Sequence, residues 1–129
     1  MDLEDLRVYQ KAMEVAESIW KIVLPWNHFE KDTLGKQIVR SSDSIAANIS
    51  EGFGRYHHKD SKKFYYYSRG SLFETKTWLA KANKRSLLDD NQHEHLIAEL
   101  TVLGKMLNKF IQSVGNNMVN EDETSYGKE

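Results

Sequence analysis

The chain has 129 residues, with 18 Lys+Arg against 19 Asp+Glu, seven glycines, one proline and no cysteine. Without a thiol, disulfide scaffolds, thiolate zinc sites, iron–sulfur clusters and cysteine nucleophiles are excluded. The start, Met1-Asp2-Leu3-Glu4-Asp5, is acidic, and no apolar run nears the roughly 20 residues that cross a bilayer, so a single cytoplasmic domain of few-break helices with no membrane partner is expected.

Over residues 3–24, Leu6, Tyr9, Met13, Ala16, Trp20 and Val23 recur at alternating steps of three and four, which is a heptad seam. Val8, Ala12, Val15, Ile19 and Ile22 form a second series, centred roughly 110° round the same helix. A helix on the outside of a monomeric bundle needs one such stripe. The second must face another helix or another subunit, and it is the expected oligomer interface. Pro25 closes this helix, and Pro25-Trp26-Asn27-His28 reads as a connector.

A second helix is expected to begin near Asp32 or Thr33. Leu34, Ile38, Ile45, Ile49 and Phe53 share its apolar face, while Ser41, Ser42, Ser44, Ala46 and Ala47 supply small side chains that permit close helix approach. Gly52 and Gly54 are expected to end it in left-handed geometry. The third helix should span residues 59–85, capped by Asp60 or Ser61, with Phe64, Ser68, Ser71, Leu72, Thr75, Leu79 and Ala82 within an arc of roughly 100°. Periodicity lapses over residues 86–91. A fourth helix follows, marked by Leu96, Leu100, Leu103, Leu107, Phe110, Ile111 and Val114, and Gly115-Asn116-Asn117 is expected to stop it. The predicted fold is an all-α, antiparallel up-down-up-down four-helix bundle over residues 1–115, followed by a flexible acidic C-terminal tail over residues 116–129.

Charge is unevenly spread. Residues 55–85 hold nine Lys/Arg against Asp60 and Glu74 alone, so that stretch is strongly positive and the remainder negative. Arg55, Lys59, Lys62, Lys63, Tyr66, Arg69 and Lys76 are the candidate nucleic-acid contacts. On a helical wheel the basic residues lie opposite the Phe64/Leu72/Leu79 arc, with Tyr66 and Phe73 among them. Cations neutralise phosphates and rings stack on unpaired bases, a combination suited to single-stranded or irregular RNA. The competing reading is a solvated lysine face whose rings and lysine stems are subunit contacts in a protein-only assembly module.

Other chemistry finds little support. His93 and His95 point to nearly opposite sides of a helix, His57-His58 is an adjacent pair, and neither Glu-x-x-His repeats nor His-Glu-x-x-His occur, so exposed histidines and no metal are expected. No Gly-x-Ser-x-Gly elbow is present and no catalytic residue is assigned. Glu51, Glu74 and Asn48 lie near small residues, where structural hydrogen bonding from buried positions is favoured over catalysis. No cofactor is expected.

The run from Gln37 to Arg55, QIVRSSDSIAANISEGFGR, resembles the signature of the bacterial four-helix-bundle family encoded in ribosomal-RNA intervening sequences. Gly70-Ser71-Leu72-x-Glu74, the block from Leu6 to Ala12 and Lys105-Met106-Leu107 add ordered matches, so the resemblance covers roughly residues 2–114. It implies an antiparallel bundle assembling as a ring-like homopentamer without established enzymatic activity, and it makes Asn48, Glu51, Gly52, Ser71 and Glu74 the structural motif. The family also looks related to the accessory variability determinant proteins of diversity-generating retroelements, which bind a reverse transcriptase and nucleic acid through a basic surface. By that resemblance the expected partners are further copies of the chain, RNA or DNA, and a reverse transcriptase. Serines at 41, 42, 50 and 68 stand where alanines are more usual in the family, and each needs a hydrogen-bond partner if buried.

Overall fold

The computed structural model describes residues 1–55 and 57–127, the side chains of residues 58 and 117–127 excepted. Among the described residues every regular element is helical and no strand occurs. The four long helices are α1 (Arg7–Val23), α2 (Lys36–Phe53), α3 (His58–Lys84) and α4 (Asp90–Gly127). None of the described helices is long and apolar enough to cross a membrane.

The helix boundaries follow local hydrogen bonding. Leu3–Asp5 is a separate 3-10 turn, and extended Leu6 divides it from α1, which therefore starts later than the heptad pattern suggests. After α1 the chain turns through Pro25, and Asn27 starts the next helical segment. Its Oδ1 accepts from the Glu30 amide at 2.9 Å, and Glu30 Oε1 accepts from the Asn27 amide at 3.1 Å, a reciprocal capping box. Helical structure thus begins at His28, ahead of the Asp32 or Thr33 start expected from apolar spacing. A π-helical stretch, Lys31–Gly35, joins this turn to α2.

Two further boundaries differ from expectation. Neither Gly52 nor Gly54 adopts left-handed geometry; the only non-glycine residue with positive φ among those described is Ser86 (φ 63°), where α3 ends and the Leu87 amide reaches back to the Ala82 carbonyl at 2.8 Å. Gly115-Asn116-Asn117 does not stop α4, which continues to Gly127. A glycine inside a helix costs roughly 1 kcal/mol against alanine, which weakens a helix without breaking it.

α1 packs on α2 and α4, and α3 packs on the same two helices. The core between them takes Val15 and Ile19 from α1, Ile38, Ile45 and Ile49 from α2, Leu72 and Leu79 from α3, and Leu100, Leu103 and Leu107 from α4. Tyr65 rather than Phe64 is the buried aromatic of α3, set edge-on to Phe110 at 4.7 Å between ring centroids.

The α2–α3 seam is held by hydroxyls. Ser68 Oγ donates to the Ile45 carbonyl at 2.8 Å, Ser71 Oγ to Ser44 Oγ at 2.9 Å, and Thr75 Oγ1 to Ser41 Oγ at 2.9 Å. Buried Ser41, Ser42 and Ser68 all have partners, Ser42 through the Val39 carbonyl at 3.2 Å. At the far end of the seam Gly52 meets Tyr65: a Cβ there would lie 2.5 Å from the ring Cε1 and 3.0 Å from the Ser61 carbonyl oxygen. Replacing Gly52 by Ala is therefore expected to destabilise the fold by about 1–3 kcal/mol through overpacking, read from the urea midpoint; an unchanged midpoint would refute this contact.

α1 and α4 are joined by an ion pair between Lys11 and Glu99, whose side chains are 19% and 28% exposed. The hydrogen bond from Lys11 holds Glu99 below the ordinary carboxylate range, and the same bond raises the Lys11 ammonium, with burial opposing in both cases. Glu99 thus contributes stability above its unfolded-state pKa and loses it as pH falls through the lower folded value. Lys11 contributes fully below its unfolded-state pKa and loses it as pH rises through the higher folded value. Glu99→Gln is expected to cost about 1–2 kcal/mol near neutral pH. Its difference from the parent should shrink in acid, where Glu99 is itself uncharged; a difference that stays constant into acid would contradict the assignment.

Candidate functional site

Steps of three and four along α3 bring Lys62, Tyr66, Arg69, Phe73 and Lys76 onto one outward stripe. Cations and rings alternate along it. Lys62 Nζ and Arg69 Cζ lie 5.8 and 4.9 Å from the Tyr66 ring centroid, and Lys76 Nζ lies 5.7 Å from that of Phe73. Both rings are exposed. Arg69 Nη1 donates to Asn108 Oδ1 at 3.1 Å and Lys76 Nζ to Thr101 Oγ1 at 3.4 Å, so two α4 side chains hold the α3 cations in place.

Asn108 and Thr101 carry no charge, so they orient Arg69 and Lys76 without neutralising them. Between the two helices lies a groove of about 190 Å³, with Leu72 and Gly104 among its lining and Lys105 joining Arg69 and Lys76. No carboxylate lines it.

The other predicted contacts sit apart from this stripe. Arg55 pairs with Glu51, and its guanidinium lies 4.6 Å from the Phe64 ring centroid, so its charge is already compensated. Lys63 lies near the same ring at 5.2 Å, and Lys59 is exposed on the first turn of α3. Lys62, Tyr66, Arg69 and Lys76 are thus brought together, whereas Arg55, Lys59 and Lys63 are not part of the groove. Sequence reasoning missed Thr101, Lys105 and Asn108, because their place beside α3 depends on the pairing of α3 with α4.

The motif residues separate in the same way. Gly52 and Ser71 belong to the α2–α3 seam. Asn48 is half-buried, and its Nδ2 donates to the Ser44 carbonyl and Ser44 Oγ, both at 2.9 Å. Glu51 and Glu74 are exposed, not buried; Glu74 accepts from Trp78 Nε1 at 3.1 Å and flanks a polar groove lined also by Gln37, Arg40, Ser41 and Ser44. Both carboxylates fall on the outer rim of the seam, where water remains available. His93 is half-buried, unlike the exposed histidine expected there. Among the described residues no group of three or more His, Cys, Asp or Glu is placed to hold a metal ion.

The expected oligomer interface is also corrected. Val8, Ala12, Val15 and Ile19 are buried within the chain itself, and Ile22 is half-buried against the same core. α2 and α4 cover the second apolar series, leaving the first partly bare: Met13 is 44% exposed, Trp20 47% and Leu24 52%. Two seams on one helix look alike in a sequence, and only the neighbours decide which becomes core. Trp20 and Leu24 line an apolar groove of about 290 Å³ with Val23, Gly35 and Val39. Nearby on the α1–α2 face, partial burial and the Glu17 carboxylate raise the Asp43 pKa.

These positions rank the motif substitutions. Glu51→Ala removes an exposed ion pair and should change stability by less than about 1 kcal/mol. Asn48→Ala removes two hydrogen bonds and should cost about 0.5–1.5 kcal/mol. Urea unfolding in which Glu51→Ala proves the more damaging would reverse this order.

The family model for the 23S rRNA-intervening sequence protein matches residues 4–109. Among solved structures, a protein of unknown function from the S23 ribosomal protein family of Bacteroides thetaiotaomicron superposes with a TM-score of 0.72 at 27% sequence identity, over 81% of this chain and 97% of that one. No curated protein matches.

Proposed function

Since the chain belongs to the 23S rRNA-intervening sequence protein family, we propose that it is a non-enzymatic, cytoplasmic, self-associating bundle that serves as a nucleic-acid-associated accessory or scaffold protein through the outward face of α3. One observation carries the nucleic-acid reading: Arg69 and Lys76 are positioned by neutral side chains, whereas Lys11 and Arg55 are paired with carboxylates. A basic surface prepared for a polyanion keeps its cations ordered and unneutralised.

The antiparallel up-down-up-down order is supported by partner numbers that rise on one helix as they fall on the next, from Ser41–Thr75 to Ile45–Ser68 and from Arg69–Asn108 to Lys76–Thr101. Self-association is supported by the bare strip of Met13, Trp20 and Leu24. A closed ring of five is the assembly implied by the family resemblance, and it would repeat the basic face and add avidity. Kinship with the retroelement accessory proteins and a reverse-transcriptase partner belong to the same proposal, resting on that basic face. A protein-only module is the second reading, favoured by the apolar groove at Trp20, Leu24 and Val39.

Light scattering with and without single-stranded RNA tests assembly and ligand together. The expected result is a mass several times that of one chain and RNA binding that weakens steeply between about 50 and 200 mM salt. Replacing Arg69 and Lys76 together by Gln should lower affinity and reduce the salt slope by about 1.4, or about 0.7 per lost phosphate contact. Assembly without salt-sensitive RNA binding would favour the protein-only reading. Trp20→Glu should reduce the mass towards one chain with helix content retained; an unchanged mass would place the interface elsewhere.

A further inference from the structure

Resting on the nucleic-acid reading above, we propose that the groove between α3 and α4 seats one unstacked base of a single-stranded nucleic acid, with the flanking phosphates on Arg69, Lys76 and Lys105. The groove is chemically two-layered. Its lining includes the apolar side chain of Leu72, the bare backbone of Gly104 and the Phe73 ring, together with three cations and the neutral polar groups of Thr101 and Asn108. A flat heteroaromatic ring bearing phosphates on either side matches that division. Its volume of about 190 Å³ is below the roughly 300–1,000 Å³ of a drug-sized pocket, and so suits a single ring system.

Gly104 distinguishes this groove from a mere gap. A Cβ at Gly104 would lie 3.7 and 3.9 Å from the Leu72 methyls, which is ordinary contact. Packing of α3 on α4 therefore does not demand glycine there, as packing of α2 on α3 does at Gly52. The missing side chain instead leaves open floor. Arg69 and Lys76 are seven residues apart, about 10 Å along the helix axis, and they bracket that opening. The exposed Phe73 ring between them supplies a stacking surface that accepts any base.

The test compares a fluorescently labelled uridine oligomer with inorganic polyphosphate, which carries the charge without the bases. Gly104→Leu fills the floor and leaves every cation in place; it should weaken oligouridine binding by about tenfold while polyphosphate binding stays within about twofold of the parent. Lys105→Gln, a surface change, should reduce the salt slope for both probes by about the contribution of one phosphate contact. In the unaltered protein, oligouridine should shift the amide resonances of Gly104 and Thr101, and polyphosphate should leave the Gly104 amide unmoved. A folded Gly104→Leu protein that binds oligouridine within about twofold of the parent, or a Gly104 amide that ignores oligouridine, overturns the base seat while leaving the basic surface in force. Absence of any salt-sensitive oligouridine binding by the parent removes the wider reading as well.

Discussion

Helices that touch through hydroxyls and a bare glycine approach more closely than helices that touch through leucines, and they are more strictly aligned because hydrogen bonds have direction. The α2–α3 seam is built in this way, with Ser41 to Thr75, Ser44 to Ser71, the Ile45 carbonyl to Ser68, and Gly52 beneath Tyr65. An apolar seam tolerates small rotations; this one fixes which side of α3 faces inward. With Ser68, Leu72 and Thr75 turned to the core, Tyr66, Phe73 and the neighbouring cations are turned out beside α4. The functional face is thus a consequence of the interior.

Charge placement divides the chain into two kinds of cation. Lys11 joins α1 to α4 through Glu99, and Arg55 sits against Glu51. Arg69 and Lys76 are held by an amide and a hydroxyl. Net charge is −1 over the whole sequence, so composition alone conceals this difference. A carboxylate beside Arg69 would give a similar geometry and a weaker field. The neutral partners retain both order and potential, and the α3–α4 groove depends on that pairing.

Much of the fold was legible in the residues, because long segments with a 3.6-residue period declare helices whatever packs on them. The small side chains of α2 announced a close seam, and the hydroxyls at 41, 42 and 68 found the partners that burial requires. The start near Asn27 was legible as well, through Glu30 at capping-box spacing, although apolar periodicity pointed further along. Other features depend on neighbours that a linear reading does not contain. Val8, Ala12, Val15 and Ile19 became core because α2 and α4 lie over them, while Met13 and Trp20 on the other seam stayed bare. Glu51 and Glu74 were placed near small residues correctly but on the wet side of them. Thr101, Lys105 and Asn108 joined the candidate site only through the pairing of α4 with α3, and no single-helix pattern marks them.

The π-helical stretch Lys31–Gly35 bears on all of this. The Lys36 amide reaches back five residues to the Lys31 carbonyl, so the backbone accommodates about one residue more than an α-helix of the same rise. That surplus turns everything downstream by about 100° relative to the Asn27 cap. It acts as a phase shifter: an uninterrupted α-helix from the same cap would aim Ser41, Ser44 and Ile45 away from their mates. Sequence drift in this short stretch is therefore constrained by residue number more tightly than by side-chain chemistry, since one deletion would dial the whole second rod out of step.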